Sequence, residues 1–266
     1  DHPFYEATYE EQLAEIDALT IDHLKVLHNR LVGPKSTIMT VVGDMDIDQT
    51  VSLLTEKFGD WSGGELLDIK IPKVSLPVKG TRIDVKLKDK SSTDLIMAHV
   101  SELQRDSVDF YAAKMANAAL GQDTITSRLG QVVRDKAGLT YGIYSNFSDT
   151  AFGASPWSVS LSVNATNLER SLSLVSEVVQ DYLKNGISAD ELSKETGRAL
   201  GTFKVGLSSS LGIARAITEF EFLGLGVGEL DKISDHYLSL TKEKVDAAAR
   251  KYFHPDKAVT VASGTF

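Results

Sequence analysis

The stretch RDKAGLTYGIYSNFSD, residues 134–149, places Arg134 at the end of one predicted helix and Tyr141 seven residues on, in the next predicted strand. Both are strong hydrogen-bond donors. Arginine is a permanent cation with a planar fork of N–H groups, and tyrosine carries a directed phenolic O–H. On residue type alone the plain reading is favoured: Arg134 neutralises the carbonyl end of its helix, and Tyr141 is a strand residue with a satisfied hydroxyl.

No self-contained catalytic apparatus accompanies the pair. A zinc peptidase sets two histidines on one helix face beside a carboxylate that activates water, yet neither H-E-x-x-H nor H-x-x-E-H occurs. His23 and His28 are five apart, about 140° round the helix, and cannot share a ligand face. His2, His99, His236 and His254 are isolated and are expected to be structural or surface residues. DMDID at 44–48 imitates a calcium loop, but Gln49 stands where the turn needs glycine and Thr55 where the bidentate glutamate belongs. GLGVG at 224–228 follows a helical pattern rather than a strand, so it reads as a turn and not a phosphate cradle. There is no G-x-S-x-G elbow.

The elements that must position Arg134 and Tyr141 follow from periodicity. Thr20 caps a predicted helix through IDHLKVLHNRLV, Gly33-Pro34 stops it, STIMTVVG reads as a buried strand, and Asp46 caps IDQTVSLLTEKF with Gly59 at its end. Residues 65–79, with Pro72 and Pro77, read as a linker. Beyond it come strands TRIDVKLKD and TDLIMAHVS, helices over about 107–120 and 126–136, and an expected antiparallel pair, LTYGIYSNFSD with WSVSLSVNA. Asn167 is expected to cap LERSLSLVSEVVQDYLKNG, followed by helices over about 189–208 and 211–223, TKEKVDAAARKYF, and a last strand AVTVASG. The order spells an α+β fold.

One internal repeat decides the division. LTIDHLKVLHNRLVGPKSTIMTVVG (19–43) aligns without gaps on LTKEKVDAAARKYFHPDKAVTVASG (240–264), sharing the opening Leu-Thr, Pro34 with Pro255, and Gly43 with Gly264. On this reading residues 1–64 close a preceding, mostly absent unit, 65–79 are the linker, and 80–266 are a complete second unit. The chain, which opens DHPFYEATYEEQ, is then expected to be a piece of a longer polypeptide.

Bulk properties bound the rest. The 266 residues are 42% hydrophobic, enough for a substantial core, and no run approaches the roughly 18 apolar residues that span a bilayer. A net charge of −9 gives no electrostatic footprint for nucleic acid. The absence of cysteine rules out disulfides and thiolate metal sites but leaves the compartment open, periplasm or cytoplasm alike.

The segment GQDTITSRLGQVVRDKAGLTYGIYSNFS resembles the second half of the insulinase/pitrilysin family of zinc peptidases, the inverzincins. It carries that family's Ser-Arg-Leu step (Ser127-Arg128-Leu129), a helix ending in arginine (Arg134) and a Gly-Leu-x-Tyr strand start (Gly138-Leu139-Thr140-Tyr141), and the likeness of pattern runs over nearly the whole chain. The resemblance implies a two-layer α/β sandwich of the mitochondrial-processing-peptidase-like metallohydrolase type, with helices packed on a largely antiparallel sheet. It further implies two halves facing each other round a chamber, one with the zinc site, the other with arginine and tyrosine reaching across to substrate.

This sequence lacks the zinc motif, so Arg134 and Tyr141 alone are carried over, as donors to a peptide carbonyl, with no metal ligand assigned and zinc expected in the missing N-terminal half. The expected function is that of a zinc-free C-terminal half of a zinc-dependent endopeptidase, inactive alone. Its partners would be the zinc-binding half or a partner subunit, a peptide or small-protein substrate, and a second copy of the piece if its unpaired strand TIMTVV self-associates. The strands LTYGIYS or SVSLSV are expected to help line the chamber. Two alternatives stay open: a non-catalytic member serving as a structural or peptide-binding partner, and an unrelated α+β binding module.

Overall fold

The structure, a computed structural model, describes residues 3, 5–148, 150–151, 153 and 155–266, so His2 lies outside the described residues. The chain forms two compact units, Asp1–Pro72 with Val205–Leu230, and Lys73–Lys204 with Asp231–Phe266.

The second unit is built on a five-stranded sheet of β1 (Thr81–Lys86), β2 (Thr93–Val100), β3 (Ile143–Phe147), β4 (Pro156–Val163) and β5 (Val259–Gly264), in the order β1-β5-β2-β4-β3. Only the β1–β5 pairing is parallel; the other three are antiparallel. Strand β4 shows why the sheet has two unlike faces: Trp157, Val159, Leu161 and Val163 are buried, and Ser158, Ser160 and Ser162 alternate with them on the opposite face. The buried face is covered by α4 (Phe110–Asn117), α5 (Leu168–Asn185) and α9 (Lys242–Tyr252), which place Met115, Val175, Val179, Val245 and Ala249 against Leu95 and Ile143. In α5 the buried positions Leu168, Ser171, Val175, Val178, Val179 and Tyr182 recur every three or four residues, the stripe a helix needs to lie on a sheet. This is the α+β class that the sequence pattern spells, in the two-layer, largely antiparallel arrangement that the family resemblance implies.

Inside this core Asn117 ties layer to strand: its amide donates to the Ser145 carbonyl at 2.9 Å while its oxygen accepts from Ser145 Oγ at 2.7 Å and Trp157 Nε1 at 3.0 Å. The isolated histidines of this unit are structural. Buried His99 receives the His254 backbone N–H on Nε2 at 2.9 Å and directs Nδ1 to the Val100 carbonyl at 2.9 Å; His236 stacks on the Tyr111 ring. Burial above all holds the His99 imidazolium below its ordinary range.

The first unit contains α1 (Tyr9–Ala18), α2 (Ile21–Leu31), α3 (Ile47–Phe58) and α7 (Ser210–Phe222). Thr20 and Asp46 cap α2 and α3 as expected, accepting from His23 N at 3.2 Å and Gln49 N at 2.8 Å. None of α1, α2 or α3 buries a residue, and His23 and His28 are exposed on α2. The repeat is visible in the elements: α2 with its Thr20 cap and the 3₁₀ turn Pro34–Ser36 recur as α9 with its Thr241 cap and the turn Pro255–Lys257.

The two copies part at the last element. Val259–Gly264 is β5, between β1 and β2, but the predicted strand STIMTVVG begins in the 3₁₀ turn at Ser36 and continues without strand pairing, with Ile38, Met39 and Val41 exposed. A strand forms only where a neighbouring strand supplies the ladder, and among the described residues none pairs with this segment, whose Thr40 Oγ1 lies instead 2.8 Å from Thr218 Oγ1 of α7. Three smaller expectations also change. Asn167 makes no side-chain cap; Asn164 caps the turn before α5, accepting from Thr166 N at 3.0 Å. The helices on either side of residue 125 widen into π-helical stretches, Ala118–Gln122 and Gly130–Lys136. Beyond α6 (Ala189–Gly206) and α7, a helix that periodicity did not single out, α8 (Glu229–Leu238), follows the turn at Gly224 and Gly226.

Candidate functional site

Arg134 sits in the π-helical stretch Gly130–Lys136, which ends in a reversal at Gly138, whose φ of +62° is the left-handed conformation glycine adopts without strain. The reversal is fixed by Gly138 N–H donating to the Arg134 carbonyl at 3.0 Å and Leu139 N–H donating to the Val133 carbonyl at 3.1 Å. Buried Leu139 then anchors the chain in the core, and Thr140, Tyr141 and Gly142 form an arch before β3 begins at Ile143.

The structure sets the Arg134 side chain against the backbone of Tyr141. Arg134 Nε donates to the backbone carbonyl of Tyr141 at 3.1 Å, and its Nη1 pairs with the Asp135 carboxylate. The Tyr141 side chain is 100% exposed, so no packing restrains its hydroxyl. The two residues rim a groove of about 810 Å³, lined also by Ser91, Ser92, Asn164 and Asn167. Ser91, Ser92, Thr140, Ser162, Asn164 and Asn167 bring hydroxyl and amide groups to walls whose larger share is apolar, and Ser162 joins the groove to the serine row of β4.

The arch has its own supports. Thr140 Oγ1 lies 2.7 Å from the Ser162 carbonyl, to which it donates, and Ile143 N–H donates to Thr124 Oγ1 at 3.0 Å. Sequence reasoning missed Thr124, Thr140 and Ser162: a threonine or serine in a turn or a strand pattern carries no local mark of such a contact. The sheet also separates the two strands expected near the chamber. β4 is paired on both sides, by β2 and β3, whereas β3 is the last strand of the sheet, with its outward Ile143 N–H taken by Thr124 Oγ1 and its Ser145 carbonyl by the Asn117 amide.

Arg128, in the motif Ser127-Arg128-Leu129 and one residue before the cap of the Gly130–Lys136 stretch, does not line the groove. Its Nε and Nη2 grip the two Glu191 oxygens at 2.6 and 2.7 Å, Nη2 also donates to the Gly186 carbonyl at 2.8 Å, and the guanidinium lies over the Tyr182 ring. This clamp fastens the segment that leads to Arg134 onto the α5–α6 turn. Burial alone would raise the Glu191 carboxyl, but the Arg128 and Ser188 hydrogen bonds outweigh it and hold the group at about 2.

Among the described residues no group of three or more His, Cys, Asp or Glu side chains could hold a metal ion, so the residues present do not fit a zinc site. Nor, among the described residues, is any helix long and apolar enough to cross a membrane.

Comparison with known proteins decides the family. Residues 18–196 match the model of the peptidase M16 inactive domain. The chain belongs to that family. It is 28% identical over 253 residues to an uncharacterized zinc protease of Mycobacterium tuberculosis, covering 88% of this chain and 53% of that protein. It is 24% identical over 189 residues to a Helicobacter pylori protein described as a non-peptidase homolog, covering 70% of this chain and 42% of that protein. The crystal structure of a peptidase M16 inactive domain from Pseudomonas fluorescens superimposes with a TM-score of 0.80 at 26% identity, over 95% of this chain and 60% of that one. The chain spans about half the length of the curated relatives it matches. It is thus similar to the C-terminal half of zinc-protease-like bacterial proteins, and an inactive domain of this family implies a partner domain or subunit.

Proposed function

We propose that this chain is the substrate-binding half of a two-part zinc endopeptidase, acting on a peptide or small protein with zinc and general base supplied by a preceding half. The observation that carries the reading is the pairing of Arg134 with the Tyr141 backbone at the rim of a groove, in a chain of the M16 inactive-domain family. In hydrolysis, charge gathers on the peptide carbonyl oxygen. A fixed guanidinium and a phenolic O–H aimed at that oxygen stabilise it more as the charge develops than before, which is what lowers a barrier. Arg134 and Tyr141 take that role.

Residues 1–64 are, on this proposal, the closing elements of the preceding half and 65–79 the link to the second. The support is that α1, α2 and α3 bury nothing, that Ile38, Met39 and Val41 are exposed on a segment without strand pairing, and that α2 and its turn repeat in α9.

The test is peptide hydrolysis with zinc by the full-length protein beside this chain alone. Turnover by the former and none by the latter is expected. A second reading, a non-catalytic family member that binds or supports a partner, is favoured by the likeness to the Helicobacter pylori non-peptidase homolog. Absence of turnover by a well-folded, zinc-loaded full-length protein would select it.

A further inference from the structure

Tyr141 is fully exposed, so where its hydroxyl reaches is set by the backbone beneath it and by nothing that touches the ring. That backbone stands outside the sheet: the β3–β4 ladder ends at the Ile143–Leu161 pair, and Gly142 and Ser162 lie one position beyond it. Two side chains replace the missing rung. Arg134 Nε holds the Tyr141 carbonyl at 3.1 Å on one side. On the other, Thr140 Oγ1 lies 2.7 Å from the Ser162 carbonyl and receives the Gly142 N–H at 3.2 Å, so one hydroxyl spans from β4 to the residue after the tyrosine. The Gly142 carbonyl, at 2.8 Å, is a second acceptor within reach of the same O–H, and donation to Ser162 is the bond that leaves the arch.

We infer that Thr140 is a positioning residue, whose hydroxyl pins the Thr140–Gly142 arch to β4 and so fixes the place from which Tyr141 meets a peptide carbonyl. The inference rests on the peptidase reading above. Misplacing a reacting group by about an ångström can cost roughly a hundredfold in rate. With Arg134 still holding one side, loss of the Thr140 pin gives a smaller displacement and a fall of about tenfold. The threonine methyl is not part of the pin, so serine keeps the function and isosteric valine removes it.

The experiment uses the full-length protein with Thr140→Val and Thr140→Ser, following amide hydrogen exchange over 140–143 and the kinetics of a fluorogenic peptide. Thr140→Val is expected to speed exchange at Gly142 and lower kcat about tenfold with little change in KM, and Thr140→Ser to restore both. Unchanged exchange in the valine variant overturns the pin. So does faster exchange with unchanged kcat while Arg134→Ala and Tyr141→Phe abolish turnover, and in that case the peptidase reading stands. If the unaltered protein cleaves no peptide, the peptidase reading fails by itself. Exchange still decides the arch: a rise in the valine variant alone supports the pin, and no rise overturns it.

Discussion

Replacing Glu191 by glutamine should cost this fold about 3 kcal/mol at neutral pH, and the deficit should fade in acid. The carboxylate is 26% exposed and Arg128 is 21% exposed, so the pair is weakly screened. Two short bonds from Arg128 and one from Ser188 N at 2.7 Å hold the carboxyl from its ordinary 4.5 to about 2. At about 1.4 kcal/mol per pKa unit this depression is worth roughly 3 kcal/mol. That is also the low end of the roughly 3–5 kcal/mol found when one partner of a buried pair is removed.

The sign follows from the direction of the shift. A carboxyl whose folded-state value is depressed contributes fully above its unfolded value, near 4.5, and loses the contribution as pH falls through its folded value of about 2. Urea denaturation of the unaltered chain and Glu191→Gln from pH 7 down to about 3 measures this. A difference below about 0.5 kcal/mol at pH 7, or one that stays constant across the range, would refute the clamp.

Three further outcomes follow from the same geometry. Gly186→Ala should destabilise by about 2 kcal/mol or more in chemical denaturation, because φ is +73° and an added Cβ would fall 2.2 Å from the Asp246 carboxylate that holds Ile187 N. Buried His99 should make stability fall as pH drops below about 6.5, since the unfolded chain takes up the proton more readily than the folded one; the slope should flatten in His99→Gln. The exposed apolar surface of α1–α3 and of the segment at Ile38–Val41 should make this chain self-associate in sedimentation at high concentration, and a strictly monomeric profile would count against residues 1–64 belonging to a preceding unit.

What the sequence displayed and what it hid divide along local and non-local physics. The caps at Thr20 and Asp46, the alternation in β4 and the stripe in α5 are local patterns, and each has the predicted form. STIMTVVG has as good a strand pattern as AVTVASG, but only the latter has neighbours to pair with, and nothing in its own residues says so. The parallel union of β1 with β5 joins residues near the two ends of the second unit and is equally invisible locally. Helix α8 buries Ile233 alone, too little for a periodic signal. At the site, Arg134 and Tyr141 stood out by type and family pattern, whereas the Thr140 hydroxyl gained its meaning only when the arch brought it to the Ser162 carbonyl.

The most direct test of the central claim is single-turnover hydrolysis of a fluorogenic peptide by the zinc-loaded full-length protein, unaltered and as folded Arg134→Ala and Tyr141→Phe variants. Each variant should lose about 2.7–4 kcal/mol of transition-state stabilisation, roughly a hundred- to a thousandfold in rate, with peptide binding much less affected. Rates within a few-fold of the unaltered enzyme in both variants would contradict the account.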